Sequence, residues 1–198
     1  MLDGCKISLQ RISGILPPNR VDGDFDYGSE EIDAIRAYYL LAHAEIETYI
    51  EDCLSEIVTK SYDRWKSSGI SDSVLLALVI YYHPAIASGD RDKNKRTLKE
   101  GKQGIIERCK QSFDYELRKN NGVKSQHIEK MLIICGFDLD VNSALLPSLE
   151  SFSSMRGEYA HNSKSKHFEP PKEAQKAVDQ IIAQLDILEA HRVGLVTI

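Results

Sequence analysis

The stretch "SEEIDAIRAYYLLAHAEIETYIEDCL", residues 29–54, decides the fold class of this 198-residue chain. Its apolar residues recur every three or four positions, the spacing that places side chains on one face of a helix. The series runs Ile32, Ile35, Tyr39, Ala42, Ile46, Tyr49, Ile50, Cys53, Leu54, Ile57, Val58. Ser29 is suited to be an N-cap, and Glu30 and Glu31 lie where the helix dipole favours acidic residues. We therefore predict a helix from Ser29 to about Lys66.

Caps and helix breakers divide the rest of the chain into further helices. The predicted helices are Asp72 to Tyr82, Leu98 to about Asn120, a short one from Ser125 to a C-cap at Gly136, Leu146 to His161, and a last one from Pro171. Strand-like alternation is nearly absent. The sequence thus predicts an all-α single bundle of five to six helices. Residues 1–28, rich in proline and glycine, are expected to form an irregular arm, and residues 29–198 one helical domain.

Composition favours an ordinary globular protein, with 42% hydrophobic and 28% charged residues. The longest apolar run, Val74 to Tyr82, is too short to cross a bilayer, so no membrane partner is expected. The chain starts without the apolar core of a signal peptide. The four cysteines lie far apart and form no C-x-x-C pair, which fits reduced thiols in a cytoplasmic protein better than disulfides or zinc ligands. We expect a cytoplasmic protein.

Charge is distributed unevenly along the chain. The net charge is −5, which argues against general affinity for nucleic acid. Between Ser88 and Lys124, eleven Lys and Arg residues outnumber six Asp and Glu residues, a local charge of +5 that leaves −10 for the remainder. Two interpretations stay open. The segment either guides a polyanion to one face of the protein, or it is a solvated helix and loop surface.

Arg156 and His161 form the pattern most suggestive of chemistry. They lie near the end of a predicted helix, in "SFSSMRGEYAHNSKSK", residues 151–166, with four residues between them. At about 100° per residue they point about 140° apart, which fits a cleft around the helix end or a site completed by a second copy of the chain. A similar pair, Arg36 and His43, lies within the first long helix. We interpret that pair as a surface or packing pair.

The order of these segments resembles a known family. A short helix ending in glycine ("SQHIEKMLIICGF"), a Leu-rich segment ("ALLPSLESF") and then R-x-x-x-x-A-H-N look like the C-terminal half of a HEPN domain, closest to the RiboL-PSP group. The segment "YYLLAHAEIETYIEDCL" resembles the opening helix of that group. The resemblance covers roughly Glu31 to Leu188. It implies a helical domain, usually dimeric, that in many members is a metal-independent ribonuclease, often a toxin or phage-defence effector with an antitoxin or other protein partner.

The resemblance also assigns roles to individual residues. It implies that Arg156 and His161 from two chains line one cleft, with Glu45 as the acidic residue of the first helix and Glu47 as the alternative. The implied reaction is attack of a ribose 2′-OH on the adjacent phosphate. His161 suits the proton transfers because imidazole titrates near neutrality. Arg156 suits the charge that develops on the phosphoryl oxygens, and no cofactor or metal ligand is called for.

Other residues near the motif have two interpretations each. Lys164, Lys166 and Asn162 either hold RNA or belong to a solvated loop, and Tyr159 is either a base-stacking platform or a core residue, which we favour. His167 is poorly spaced to share a metal with His161. Gly157 stands where the family usually has a polar residue. It divides two hypotheses, an active ribonuclease and a catalytically silent HEPN module that binds a protein partner or nucleotide.

Overall fold

The computed structural model describes residues 1–20, 27–83, 91–119, 125–137, 144–161 and 169–196. Within these ranges the chain forms seven α-helices and no strand. They are α1 (Leu2–Ser13), α2 (Ser29–Ser68), α3 (Ser73–Tyr82), α4 (Arg91–Lys119), α5 (Ser125–Ile134), α6 (Leu145–His161) and α7 (Pro171–Val196). The all-α prediction is confirmed, with one helix more than the predicted five to six.

Helix α1 corrects the prediction of an irregular arm over residues 1–28. Its apolar side chains at positions 2, 5, 9 and 12 follow the spacing of one helical face, and all four are buried. Lys6 Nζ lies 2.7 Å from a carboxylate oxygen of Asp186 on α7, which ties the helix to the fold. The prediction is therefore wrong for Leu2–Ser13. Residues 17–20 are irregular as predicted, and residues 21–26 lie outside the described ranges.

The contacts of the chain divide it into two compact units. The first comprises Met1–Ile50, Gly122–Gln126 and Val141–Ala190, and the second Glu51–Asn121, His127–Asp140 and His191–Ile198. In the first unit α2 contributes fully buried Ile35, Tyr38, Tyr39, Ala42 and Ile46. Leu149 and Phe152 of α6 and Ala174, Ile181 and Leu185 of α7 are also buried. The stripe read from residues 29–54 is thus a core face, as its period predicts.

The second unit shows how the sequence sets helix ends. The Asp72 carboxylate caps α3 by accepting a hydrogen bond from the Leu75 backbone N–H at 2.9 Å. Gly136 follows α5 with a φ of +77°, which glycine adopts without strain. The backbone N–H of Phe137 donates to the Leu132 carbonyl at 2.9 Å, the hydrogen bond of a Schellman C-cap. The predicted glycine stop of this helix is confirmed.

Helix boundaries agree closely with prediction except in α4. That helix begins at Arg91 rather than Leu98, and Gly101 interrupts it with a φ of +72° and a ψ of +173°. The long first helix ends at Ser68, two residues beyond the predicted Lys66. Among the helices in the described ranges, none combines the length and the apolar character that a membrane span requires.

Candidate functional site

Arg156 lies on the side of α6 that faces the core of the first unit. Leu145, Leu149, Phe152 and Tyr159 are the buried residues of this helix, and the helical repeat places Arg156 in the same sector. Its side chain is half-buried. With the residues that the structure describes, the guanidinium makes no hydrogen bond or ion pair. No described acid lies within ion-pair distance of its five N–H donors, which therefore suit a phosphate.

His161 occupies a different sector of the same helix. It is the last residue of α6 and is exposed to solvent. Five residues along an ideal helix rotate a side chain by about 140°, so His161 points away from the core sector that holds Arg156. Within one chain the two side chains therefore face different surroundings. A single phosphate contacted by both groups requires a second copy of the chain or a rearrangement of the helix end.

His43, on the neighbouring helix α2, lies close enough to Arg156 for the charge of Arg156 to affect it. Its ring is 2% exposed and stacks on the Phe152 ring, with centroids 6.2 Å apart and planes inclined by 14°. Its Nε2 lies 3.1 Å from Ser153 Oγ, and its Nδ1 lies 3.6 Å from a Glu47 carboxylate oxygen. Burial, and secondly the positive charge of Arg156, lower the pKa of His43 from 6.5 to about 4. The imidazole is thus neutral at physiological pH.

The two acidic candidates of the first helix are separated by the fold. Glu47 follows His43 by four residues, so both side chains lie on the face of α2 turned toward α6. Glu45 lies about 160° from Glu47 around the helix and faces α1, where its negative charge helps to raise the pKa of Cys5 to about 11, after the larger effect of burial. The geometry therefore places Glu47, the alternative, and not Glu45, on the face of α2 that carries His43.

The sequence pattern identified His43 only as half of a surface or packing pair. It is a packing residue, since it is buried, but it also contacts Ser153, one turn before Arg156. Its companion Arg36 contacts Asp33 at 3.2 Å on its own helix. The signal available in the sequence was the spacing of His43 and Glu47, which predicts a polar pair on a largely apolar face.

Tyr159 is a core residue, the interpretation that the sequence favoured. It is 5% exposed, and its ring packs edge-on against Tyr39 with centroids 5.0 Å apart. Its hydroxyl accepts a hydrogen bond from the backbone N–H of Glu169 at 2.9 Å, and the Tyr39 hydroxyl donates to the Glu169 carboxylate at 2.5 Å. Tyr159 therefore offers little ring surface to an RNA base, and its contact with RNA stays a prediction.

The remaining predicted RNA-binding residues, Lys164, Lys166 and Asn162, lie outside the described residues. A cavity of about 360 Å³ opens on the adjacent sector of α6, bordered by Tyr39, Met155, Glu169, Glu173 and Lys176. The ammonium of Lys176 lies 3.4 Å from the Glu173 carboxylate. The charged residues that line the cavity are thus two acids, Glu169 and Glu173, and one cation. This balance disfavours a phosphate in the cavity, so Arg156 stays the candidate for binding one.

The amino-acid sequence matches a known protein family. The sequence model of the RiboL-PSP-HEPN family matches residues 9–196, nearly the whole chain. The chain belongs to the RiboL-PSP-HEPN family. It matches no curated protein and no solved structure in the comparisons made. HEPN domains are all-α, are often dimeric, are linked to RNA and commonly have ribonuclease activity.

Gly157 remains the departure from the usual HEPN pattern. Its backbone is helical, and a Cβ built on it would meet no atom within 4 Å among the neighbours considered. Packing therefore does not require glycine at this position.

Elsewhere in the described ranges, no three or more His, Cys, Asp or Glu side chains are grouped to hold a metal ion.

Proposed function

We propose that this chain is a metal-independent endoribonuclease whose site combines Arg156 and His161 from two copies. The observation that carries the proposal is Arg156, a half-buried guanidinium without an ion-pair partner among the described residues, next to a neutral imidazole. Such a cation retains its full charge for a ligand. In a HEPN chain the matching ligand is an RNA phosphate.

The reaction follows from these groups. The 2′-oxygen of a ribose attacks the adjacent phosphorus and loses its proton to an imidazole, while the P–O5′ bond breaks and the 5′-oxygen gains a proton. Arg156 stabilises the charge on the two non-bridging oxygens as it develops. In a two-fold dimer, His161 of the second copy takes the proton of the 2′-hydroxyl, and the leaving 5′-oxygen takes its proton from water. The products are a 2′,3′-cyclic phosphate and a 5′-hydroxyl.

The biological role proposed with this activity is that of a toxin or phage-defence effector restrained by an antitoxin or another protein. A nuclease of this kind acts on cellular RNA without a cofactor, so expression alone should slow bacterial growth. Growth that recovers with Arg156→Ala and with His161→Ala supports the role. Growth inhibition that persists in both variants contradicts it.

The direct test is cleavage of labelled RNA in EDTA by the wild type, Arg156→Ala and His161→Ala. Two matched controls replace an exposed arginine of α1 and an exposed histidine of α5, Arg11→Ala and His127→Ala. We expect loss of about 10²-fold or more in both site variants and wild-type rates in both controls. Cleavage that survives both site substitutions would place the active site elsewhere.

Subunit mixing tests whether the site is composite. If Arg156 of one copy acts with His161 of the other, a hybrid of Arg156→Ala and His161→Ala chains contains one intact site and one site that lacks both groups. An equimolar, re-equilibrated mixture should then recover about a quarter of the wild-type activity, because half of the dimers are hybrids with one working site of two. A mixture as inactive as its parents would show that both groups act within one chain.

A silent HEPN module is the second candidate, and Gly157 is the observation that favours it. Position 157 precedes His161 by one turn, so the polar side chain usual there would lie beside the imidazole. The open space at Gly157 allows the test of restoring it with Gly157→Asn. Cleavage by this variant but not by the wild type identifies a chain that lost its activity through this residue. Equal cleavage by both rules out the silent module.

A further inference from the structure

The cluster of His43, Glu47 and Ser153 lies between α2 and α6, beside Arg156. His43 makes a polar contact from each ring nitrogen, at 3.1 Å to Ser153 Oγ and at 3.6 Å to the Glu47 carboxylate. The stack on Phe152 fixes the plane of the ring. Two polar contacts and one ring stack therefore fix the orientation of the imidazole, whereas a ring that only filled space would need no polar contact.

The proton on this imidazole has a defined place. A carboxylate only accepts hydrogen bonds, so the Nδ1 that faces Glu47 carries the hydrogen of the neutral ring. The unprotonated Nε2 then accepts from the Ser153 hydroxyl. A second proton is disfavoured because the ring is buried and Arg156 is already positive. His43 is consequently a neutral link between an acid on α2 and a hydroxyl on α6.

This link controls the sector of α6 that contains Arg156. Ser153 precedes Arg156 by three residues, so the two side chains are neighbours, about 60° apart around the helix. A contact that fixes Ser153 against α2 also fixes the rotation of α6 at Arg156. Because His43 is neutral, it does this without neutralising the guanidinium, as an acid in its place would do.

We infer that His43 is a positioning residue that holds Arg156 in the orientation needed to bind a phosphate. The inference deepens the proposed ribonuclease function and rests on it. His43 acts through Arg156 and takes no part in the proton transfers of the reaction.

The test removes the ring nitrogens and keeps the ring. His43→Phe preserves the stack on Phe152 and loses both polar contacts, whereas His43→Gln keeps an amide able to reach Ser153. His191→Phe is the matched control: His191 also places Nε2 3.1 Å from an oxygen, that of the Cys135 carbonyl, and packs edge-on against Phe137. Cleavage in EDTA and affinity for an RNA methylated at every 2′-hydroxyl, which this reaction does not cleave, are measured with and without Arg156→Ala.

We expect His43→Phe to lower kcat/KM at least about tenfold and to weaken binding of the methylated RNA, because a small misplacement of a phosphate-binding group is costly. His43→Gln should recover most of the rate, and His191→Phe should leave it unchanged. In the Arg156→Ala background, His43→Phe should cause no further loss of rate or affinity. A loss of the same size in that background would overturn the inference, as would a His43→Phe variant as active as the wild type.

The affinity measurements separate this inference from the proposed function. If the wild type cleaves no RNA, the ribonuclease proposal fails. The role of His43 is then tested only by the affinity for the methylated RNA. Weaker binding by His43→Phe that disappears without Arg156 supports the positioning role. Binding unaffected by His43→Phe, or no binding by the wild type at all, overturns it, since Arg156 then has no phosphate for which to be positioned.

Discussion

On the side of α6 that faces α2, the side chains are fixed by their neighbours. Phe152 and Tyr159 are buried, and Ser153 contacts His43. On the opposite side, Gly157 lies in open space and His161 is exposed. The two halves of the proposed catalytic pair thus differ in kind, because the surroundings of Arg156 are built within one chain whereas those of His161 must be supplied by something else. A composite site requires this difference, because each protomer holds its own Arg156 in place and offers an exposed His161 to its partner.

The largest expected effect lies on the buried side. Phe152→Ala removes a ring that contacts both Tyr39 and His43, and we expect it to lower the free energy of unfolding by about 3–5 kcal/mol. Ser154→Ala, at an exposed neighbouring position, should change it by less than about 0.5 kcal/mol. Urea denaturation measures both. A cost below about 1 kcal/mol for Phe152→Ala would remove the contrast between the two sides.

The next effect is a pH dependence from His43. The pKa of His43 is lowered from its ordinary value of 6.5 to about 4 in the folded chain. Between these pH values the unfolded chain therefore binds more protons than the folded chain does. The contribution of His43 to stability is therefore full above about pH 6.5 and falls as the pH drops toward 4, a loss of about 3 kcal/mol in total.

His43→Phe isolates this contribution. The difference in unfolding free energy between pH 7 and pH 4.5 should be smaller in the variant by most of that amount, while exposed His127→Ala keeps the wild-type difference. Equal pH dependence of the wild type and His43→Phe would show that His43 is not held in its neutral form.

A smaller effect distinguishes the two glutamates. Glu47→Gln should lower RNA cleavage about tenfold, equivalent to about 1.4 kcal/mol in the barrier, because it removes the negative charge beside His43. Glu45→Gln should remain within about twofold of the wild type, because Glu45 faces α1. Rate measurements on the two variants form a matched pair. The reverse ranking would mean that the acid assigned first from the sequence is the functional one.

The smallest effect is expected on the open side. Gly157→Ala should stabilise the chain by up to about 1 kcal/mol, since glycine is the poorer helix former and the added methyl group meets open space. Thermal or urea unfolding measures the gain. A destabilising result would mean that the backbone at this position is closely approached, by a second copy of the chain for example.

The sequence predicted most of the helices because their signals are local. Apolar spacing, the Asp72 cap and the glycine stop at position 136 each act within a few residues, so they can be read without knowing the neighbours. Helix α1 was missed although its apolar residues show the same spacing. The prolines at 17 and 18 and the glycines nearby predict an irregular conformation, and that prediction was extended to all of residues 1–28.

The candidate site was predictable only in part. Arg156 and His161 form a motif within one helix, and their angular separation follows from helix geometry alone. Whether Glu45 or Glu47 faces Arg156 depends on which side of α2 packs against α6, and that is decided by tertiary contacts. The same holds for His43, which lies 110 residues from Ser153 in the chain and 3.1 Å from it in space.

The anchoring of Glu169 has a consequence for insertions into the chain. Its backbone and carboxylate are held by Tyr159 and Tyr39, so Glu169 is joined to the end of α6 by contacts that the described residues make themselves. Doubling the length of a chain connection adds only about 0.6 kcal/mol of closure cost. An insertion between His161 and Glu169 should therefore cost the fold little stability.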